Sequence, residues 1–465
     1  MLTIVIIYLV ALLAVGGYYY KKAKDLGSES SDDFFLASRS LGKIVVAGTI
    51  LATYTGSGTV TGGGNSLAYN YGFWPGVCFV LPPIFSMLVL VALSKKIYEG
   101  RCTTAAQLLE KSYGPSARIY AAVIITLAFV SIVSYQYRGL GFILNATTGL
   151  SIPVCTIICT VIVIALAFSG GLKTVATTDA MSAFLMTVGL VVGIPFLLKA
   201  VGGVDWVIAN APPEKLTFFG GQTFWKWAGG YLPLFFLTIG DQNFYQRIVA
   251  SKDLPTARFG LYGCIVACLV IMPVVAGLSF IGSIYFGSNI SAGQSLIATA
   301  TLMPTVIGGV VLAAAAAFTI TTGDSYLLSA ASNVTIDIYA NKINPGASDE
   351  EQLRVSRWFI LLTGVLAYII LQFFPSVLAI QFWAYTIYGA GITPAVLCCL
   401  CWKRVTKAGG IASMLAGTAV TIGWEIFGKN TGVQTVLVAI PVSFLVIVLV
   451  SLMTQPKSRL ANDPA

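Results

Sequence analysis

Oxygen-bearing side chains gather inside runs of sequence that are otherwise strongly apolar. In Phe318-Thr-Ile-Thr321-Thr322-Gly-Asp324-Ser325, positions 318, 321, 322 and 325 share one helix face by the i, i+3, i+4 rule, and Asp324 adjoins it. A face of hydroxyl and carboxylate oxygens suits a hard cation. Imidazole and thiolate, which favour transition metals, are missing from it, and the chain contains no His at all. A second reading stays open, in which the hydroxyls bond back to their own helix and Asp324 pairs with a neighbouring one. Asp179, Asp241 and, near the end of its segment, Glu425 are the other acids within apolar runs, alongside the single base Arg138. Each is costly in hydrocarbon unless paired or useful, which makes each a candidate functional residue.

The elements that would position these groups are membrane helices. Of 465 residues, 57% are hydrophobic and 10% charged, with a mean hydropathy of +0.86, outside the range of a water-soluble domain. A hydrocarbon core of roughly 30 Å needs about 20 apolar residues per helix. Apolar runs between turn signals predict an all-α membrane protein of about thirteen spans. They fall near 2–20, 43–69, 73–94, 118–145, 152–168, 174–199, 226–246, 259–287, 304–339, 356–374, 376–401, 409–427 and 433–453. The first run, followed by Tyr18, Tyr19, Tyr20 and the basic Lys21, Lys22 and Lys24, reads as a retained helix rather than a cleaved signal.

Alternating the loops between two sides puts the Lys and Arg residues on one side, with Lys199, Lys215, Lys226, Lys429 and Arg138 as the exceptions among 27. The rich side is expected to be the cytoplasm, leaving the N-terminus outside and the C-terminus inside a bacterial-type inner membrane. The net charge of +9 is thus a topology signal and no nucleic-acid footprint. The nine Cys residues, such as Cys155, Cys159 and the Cys398, Cys399, Cys401 group, mostly sit in apolar runs and read as small packing residues. The short polar stretch after Met453 is too small for an appended soluble domain.

Two spans contain stretches that a continuous lipid-facing helix would not choose. One is Ala52-Thr-Tyr-Thr-Gly-Ser-Gly-Thr-Val-Thr-Gly-Gly-Gly-Asn65, rich in glycine and hydroxyls; the other is Thr238-Ile-Gly-Asp-Gln-Asn243. Unwound backbone at membrane depth is tolerated only where it is buried in protein or lines a cavity. The glycines also suit close helix packing. The breaks fall in the second and seventh spans, so each opens a block of five helices of opposite orientation. That is the pattern of an inverted repeat with its site at the pseudo-two-fold axis.

Four segments in order carry a resemblance to a known family. They are Asp33-Phe-Phe-Leu-Ala-Ser-Arg-Ser-Leu-Gly42, Ser169-Gly-Gly-Leu-Lys-Thr-Val-Ala-Thr-Thr-Asp179, Gly240-Asp-Gln-Asn-Phe-Tyr-Gln-Arg247 followed by Ser251-Lys-Asp, and Thr321-Thr-Gly-Asp-Ser-Tyr through Asp337-Ile-Tyr339. Together they resemble the sodium:solute symporter family. The resemblance implies a LeuT-like five-plus-five inverted repeat with one extra N-terminal and two extra C-terminal helices. The expected divisions are 1–42 (extra helix and loop), 43–200 (first repeat), 201–225 (external loop), 226–401 (second repeat) and 402–465 (C-terminal helices and tail).

By the same resemblance, a common sodium site uses the backbone carbonyls of Ala52, Thr55 and Phe318 with the hydroxyls of Thr321 and Thr322. A second sodium site in some members maps to Asp179, Thr321, Asp324 and Ser325; alternatively Asp179 pairs with Lys173 or a helix end. The solute would lie between the first break, at Gly56, Ser57 and Thr59, and helices carrying Arg138, Asp241, Gln242, Trp383 and Tyr385. Arg138 suggests a carboxylate, Asp241 and the aromatics suggest an amine, or the two charges pair with each other. The implied activity is sodium-driven import of a small organic solute by alternating access, with sodium as coupling ion, no organic cofactor and no obligate protein partner. Competing readings are a sensor on a transporter fold, which normally needs an output domain, and a passive channel, for which no repeated filter is present. No Walker-type loop for ATP occurs, and nothing marks an enzyme.

Overall fold

The computed structural model describes residues 1–25, 30–169 and 171–455. Gly170 of the Ser169-to-Asp179 motif and the tail from 456 onward lie outside the described residues, as do the side chains of Tyr19, Tyr20, Lys22, Lys24, Ser169 and Lys429. The described residues are predominantly helical. In order, the principal helices are α1 (Leu2–Asp25), α2 (Lys43–Tyr54), α3 (Gly63–Tyr71), α4 (Leu81–Gly100), α5 (Pro115–Thr148), α6 (Ile152–Ser169), α7 (Leu172–Val201) and α8 (Leu232–Gly240). They continue with α9 (Gln242–Ala250), α10 (Leu254–Phe286), α11 (Thr305–Ser332), α12 (Asp349–Leu371), α13 (Val377–Gly391), α14 (Thr393–Cys401), α15 (Lys407–Phe427) and α16 (Val436–Met453).

Among the described residues, nine helices are long and apolar enough to cross a membrane. The bent pair 43–54 and 58–71, which turns by 44°, makes a tenth. Leu2–Tyr18 and Ile152–Phe168 are apolar but shorter. The seventh expected span is two nine-residue helices, α8 and α9, so length and apolarity alone do not return the full count of thirteen.

Helix α11 is the axis of the packing and contacts α7 and α5 most heavily. Of its apolar window 83% is buried inside the protein, against 33% for α7, α12 and α16, which turn faces toward lipid. Its sequence explains the position: Ala313 to Ala317 let neighbouring backbones approach closely, and the hydroxyls of the following turns need protein partners. At one end of the bundle the chain entering α2 pairs with the chain leaving α9. Leu41 N donates to Ala250 O (3.1 Å) and Lys252 N to Leu41 O (3.1 Å). The segments that carry the two breaks are thereby tied to each other through buried backbone.

Candidate functional site

The first break opens at Thr55, whose backbone is extended (φ −96°, ψ 100°), and resumes through a π-helical turn over 58–62 into α3. Leu51 O accepts both Thr55 N (2.9 Å), the last bond of the α2 ladder, and Thr55 Oγ1 (2.7 Å), so the helix closes cleanly at the break. The glycines serve close approach. A Cβ at Gly56 would stand 2.6 Å from Thr322 Oγ1, at Gly58 2.7 Å from both Gln381 Nε2 and Tyr385 Oη, and at Gly62 2.1 Å from Gln381 Oε1. The glycine-rich run is therefore both a break and a packing surface, two readings that the sequence set against each other.

The side chains that grip this break come from α5 and α13. Gln136 Oε1 accepts from Ser57 N (2.8 Å), Gln381 Oε1 accepts from Gly63 N (2.7 Å), and Gln381 Nε2 donates to Gly58 O (3.2 Å). Tyr135 and Tyr385 join through their hydroxyls (3.0 Å), and Ser57 bonds to Thr61 across the π turn, in which Thr59 is also buried. Two amides thus replace helix partners that the unwound backbone has lost, which satisfies groups that could not be left bare in an apolar interior. Gln136 was absent from the sequence-derived site. An amide in the middle of an apolar helix, flanked by Tyr135 and Tyr137, was the available signal.

The oxygens expected for a cation lie where the first break meets α11. Thr322 Oγ1 donates to Ala52 O (2.9 Å) and lies 3.3 Å from Thr55 O. Thr321 Oγ1 lies 3.5 Å from both Ala52 O and Phe318 O while donating to Ala317 O (2.7 Å). Three carbonyls from α2, its unwound end and α11 thus lie within 3.5 Å of one or other of the two threonine hydroxyls, all on buried residues. A neutral, all-oxygen set fits a hard monovalent cation better than a transition metal.

The second break lies at Asp241 (φ −64°, ψ 119°), between α8 and α9. Tyr388 of α13 bridges it: its hydroxyl donates to Gly240 O (2.9 Å) and accepts from Gln242 N (3.1 Å). Asp241 caps α9, accepting from Asn243 N (2.8 Å) and Asn243 Nδ2 (3.2 Å) on one oxygen and from Tyr326 Oη (2.5 Å) on the other. Both oxygens are engaged, so the carboxylate is a structural cap here. Gln242 faces α11, donating to Ser329 O and Ser332 Oγ and accepting from Ala105 N.

Two residues assigned to the solute wall have structural contacts of their own. Arg138 donates to Phe374 O (2.9 Å) and Leu371 O (3.1 Å), so its guanidinium caps the carbonyl end of α12, where the helix dipole is negative. Trp383 packs on Phe374 at 5.6 Å between ring centroids, at the same corner. Arg138 and Asp241 do not pair with each other; each has its own partners. Nor is Arg138 the base that matters most in the interior.

That base is Arg247, fully buried on α9. Its Nε donates to Thr49 Oγ1 (3.1 Å), Nη1 to Asn243 O (3.2 Å) and Oδ1 (3.3 Å), and Nη2 to Ser325 Oγ (2.8 Å). Nη2 also stands 3.8 Å from Asp179 Oδ2, which accepts from Thr49 Oγ1 (2.6 Å). Asp179 therefore pairs with Arg247, and not with Lys173 or a helix end. Asp179 Oδ1 and Asp324 Oδ1 are buried without a hydrogen-bond partner. Arg247 stood in a quoted motif, but at the edge of its predicted span, where a basic residue reads as a loop charge.

A helical membrane protein with two unwound segments, each opening a block of helices, has the pattern of the LeuT-like transporter fold. The sequence profile of the sodium:solute symporter family matches residues 34–417, and the chain belongs to that family. It is 26% identical to the osmoregulated proline transporter OpuE of Bacillus subtilis, over 97% of this chain and 94% of the relative. It is 27% identical to a sodium/proline symporter of Haemophilus influenzae, over 98% and 95%. The fold matches a substrate-bound, outward-open sodium-coupled sialic acid symporter with a TM-score of 0.82 at 17% identity, covering 98% of this chain and 97% of that one.

Proposed function

We propose that this multi-pass membrane protein imports a small organic solute by sodium-coupled symport with alternating access. The observation that supports it most directly is the convergence of Ala52 O, Thr55 O, Phe318 O, Thr321 Oγ1 and Thr322 Oγ1 where the first break meets α11. A cation held there ties the unwound segment to the central helix, so ion and solute affinities are linked reciprocally. Asp179, Thr321, Asp324 and Ser325 form the candidate second sodium site. The solute would lie beside Gly56, Ser57 and Thr59, facing Gln136, Gln381, Tyr135 and Tyr385.

Neutral amides and phenols line this wall, and the nearby charges of Arg138 and Asp241 are occupied, which favours a neutral or zwitterionic solute. Since relatives carry proline in their names, L-proline is the first molecule to test. Uptake of labelled L-proline, then of an amino-acid, organic-acid, amine and sugar panel, is measured in proteoliposomes with sodium or choline outside. A passive channel would equilibrate solute without sodium, and a sensor would bind it without counterflow. Sodium-independent accumulation, or none with any solute, would reject symport. We further assign residues 43–200 and 226–401 to the two repeats, with 1–42, 201–225 and 402–465 outside them, and place the N-terminus outside the cell. Membrane-impermeant labelling of a cysteine introduced near Met1 reads that orientation.

A further inference from the structure

Arg247 holds two of the four groups that the candidate second sodium site requires. Its Nη2 donates to Ser325 Oγ (2.8 Å) and is the nearest cationic group to Asp179 (3.8 Å), while Thr49 joins its Nε to the same carboxylate. The other two groups are differently placed. Asp324 keeps a buried, unpartnered Oδ1, and Thr321 Oγ1 has its proton on Ala317 O, leaving lone pairs free. A cation cannot take all four oxygens while the guanidinium keeps its present place, because Ser325 Oγ would have to accept from Nη2 and ligate an ion beside a positive charge.

We propose that Arg247 is a tethered cation that competes with sodium for the Asp179 and Ser325 oxygens, so that ion entry moves its guanidinium toward the second break. This rests on the symport reading and deepens it. Burial makes the competition strong: a carboxylate in this interior needs a cation, and either the guanidinium or a sodium ion supplies the charge. The tether also fixes where the displaced group goes. Nη1 is already bonded to Asn243 O and Oδ1, one turn back on α9, and Asn243 bonds in turn to Asp241 at the break. Release from Asp179 thus shifts a positive charge along α9 toward the unwound residues of α8 and α9. Ion occupancy on the α7 and α11 side becomes a changed environment at a break lining the transport path. Each state has its own contacts, as a coupling free energy requires.

The test uses purified full-length protein and sodium alone. Its readout is melting temperature against sodium concentration, with choline holding ionic strength constant. Removing the competitor should strengthen sodium binding: Arg247→Gln should lower the half-saturating sodium concentration several-fold. Arg247→Lys, with one compact charge on a shorter reach, should lie between it and the unaltered protein. Damage to packing alone would weaken sodium binding, so the direction of the shift separates competition from a merely structural role. Should Arg247→Gln not fold, Arg247→Lys decides by the same criterion. In Asp179→Asn/Arg247→Gln, where carboxylate and competitor are both gone, the gain should disappear. An unchanged or raised sodium requirement in the single variants overturns the proposal. Absence of any sodium stabilisation in the unaltered protein would instead reject the symport reading on which it rests.

Discussion

The two threonines of the common cation site should not contribute equally, and the hydrogen bonds say which matters more. Thr321 donates its proton to Ala317 O of its own helix, so its lone pairs already face the carbonyls of Ala52 and Phe318. Thr322 instead spends its proton on Ala52 O, with Thr55 O close by, and must rotate before its oxygen can ligate an ion. A contact to a charged group contributes about 1.5–3 kcal/mol, and an ordinary hydrogen bond about 1 kcal/mol. Thr321→Ala loses the first quantity whole, which is roughly a 10- to 150-fold rise in half-saturating sodium. Thr322→Ala loses it less the bond already sacrificed on ion binding, leaving about 0.5–2 kcal/mol, or roughly 2- to 30-fold. Thr321→Ser and Thr322→Ser keep the oxygen and should stay near the parent. The assay is a sodium titration of melting temperature in choline-balanced buffer, since a ligand of the native state raises stability with its logarithm. A sodium requirement unmoved by Thr321→Ala, or one that rises far more in Thr322→Ala, would refute the geometry.

Three further outcomes follow from the same contacts. Asp179→Asn should destabilise the protein by about 3–5 kcal/mol, because Arg247 loses its closest carboxylate in the interior; denaturation in detergent measures it, and adding Arg247→Gln should restore part. If the second sodium is transported, Asp179→Asn/Asp324→Asn should lower the charge moved per labelled solute in proteoliposomes, leaving the Thr321 site in use. Arg138→Gln should cost about 1–3 kcal/mol of stability through the exposed end of α12, yet leave the order of solute preference in competition uptake unchanged. A changed preference would return Arg138 to the solute wall.

Much of this architecture was legible because membranes constrain chains severely. The run Gly56 to Gly64 and the Gly240-Asp241-Gln242-Asn243 segment had no business in lipid-facing helices, and both prove to be breaks. The face of Thr321, Thr322 and Ser325 likewise follows from helical spacing. Partner choice was hidden, because spacing along one helix says nothing about which neighbour it meets. In sequence Arg138 lies inside an apolar run and Arg247 at the edge of one, after the polar stretch Asp241 to Gln246. One turns to the carbonyl end of α12, the other into the interior against Asp179. Their opposite placements depend on the approach of helices distant in sequence, Arg138 meeting Phe374 and Arg247 meeting Asp179 and Ser325.

The clamping of both breaks by one helix ties the parts together. On α13, Gln381, Tyr385 and Tyr388 lie at i, i+4 and i+7, along a single face. Gln381 holds the first break at Gly58 and Gly63, Tyr385 reaches Tyr135 beside it, and Tyr388 spans the second at Gly240 and Gln242. Backbone groups that neither half-helix can satisfy are therefore met by a third element common to both. Removal of the Tyr388 hydroxyl strands a buried carbonyl and a buried N–H together, a cost of about 1–3 kcal/mol for each. Tyr388→Phe should accordingly lower the melting temperature and speed amide exchange around Gly240 to Asn243, while the sodium requirement set at Thr321 stays close to the parent. A loss of sodium binding equal to that of Thr321→Ala would mean that the second break, too, shapes the common cation site.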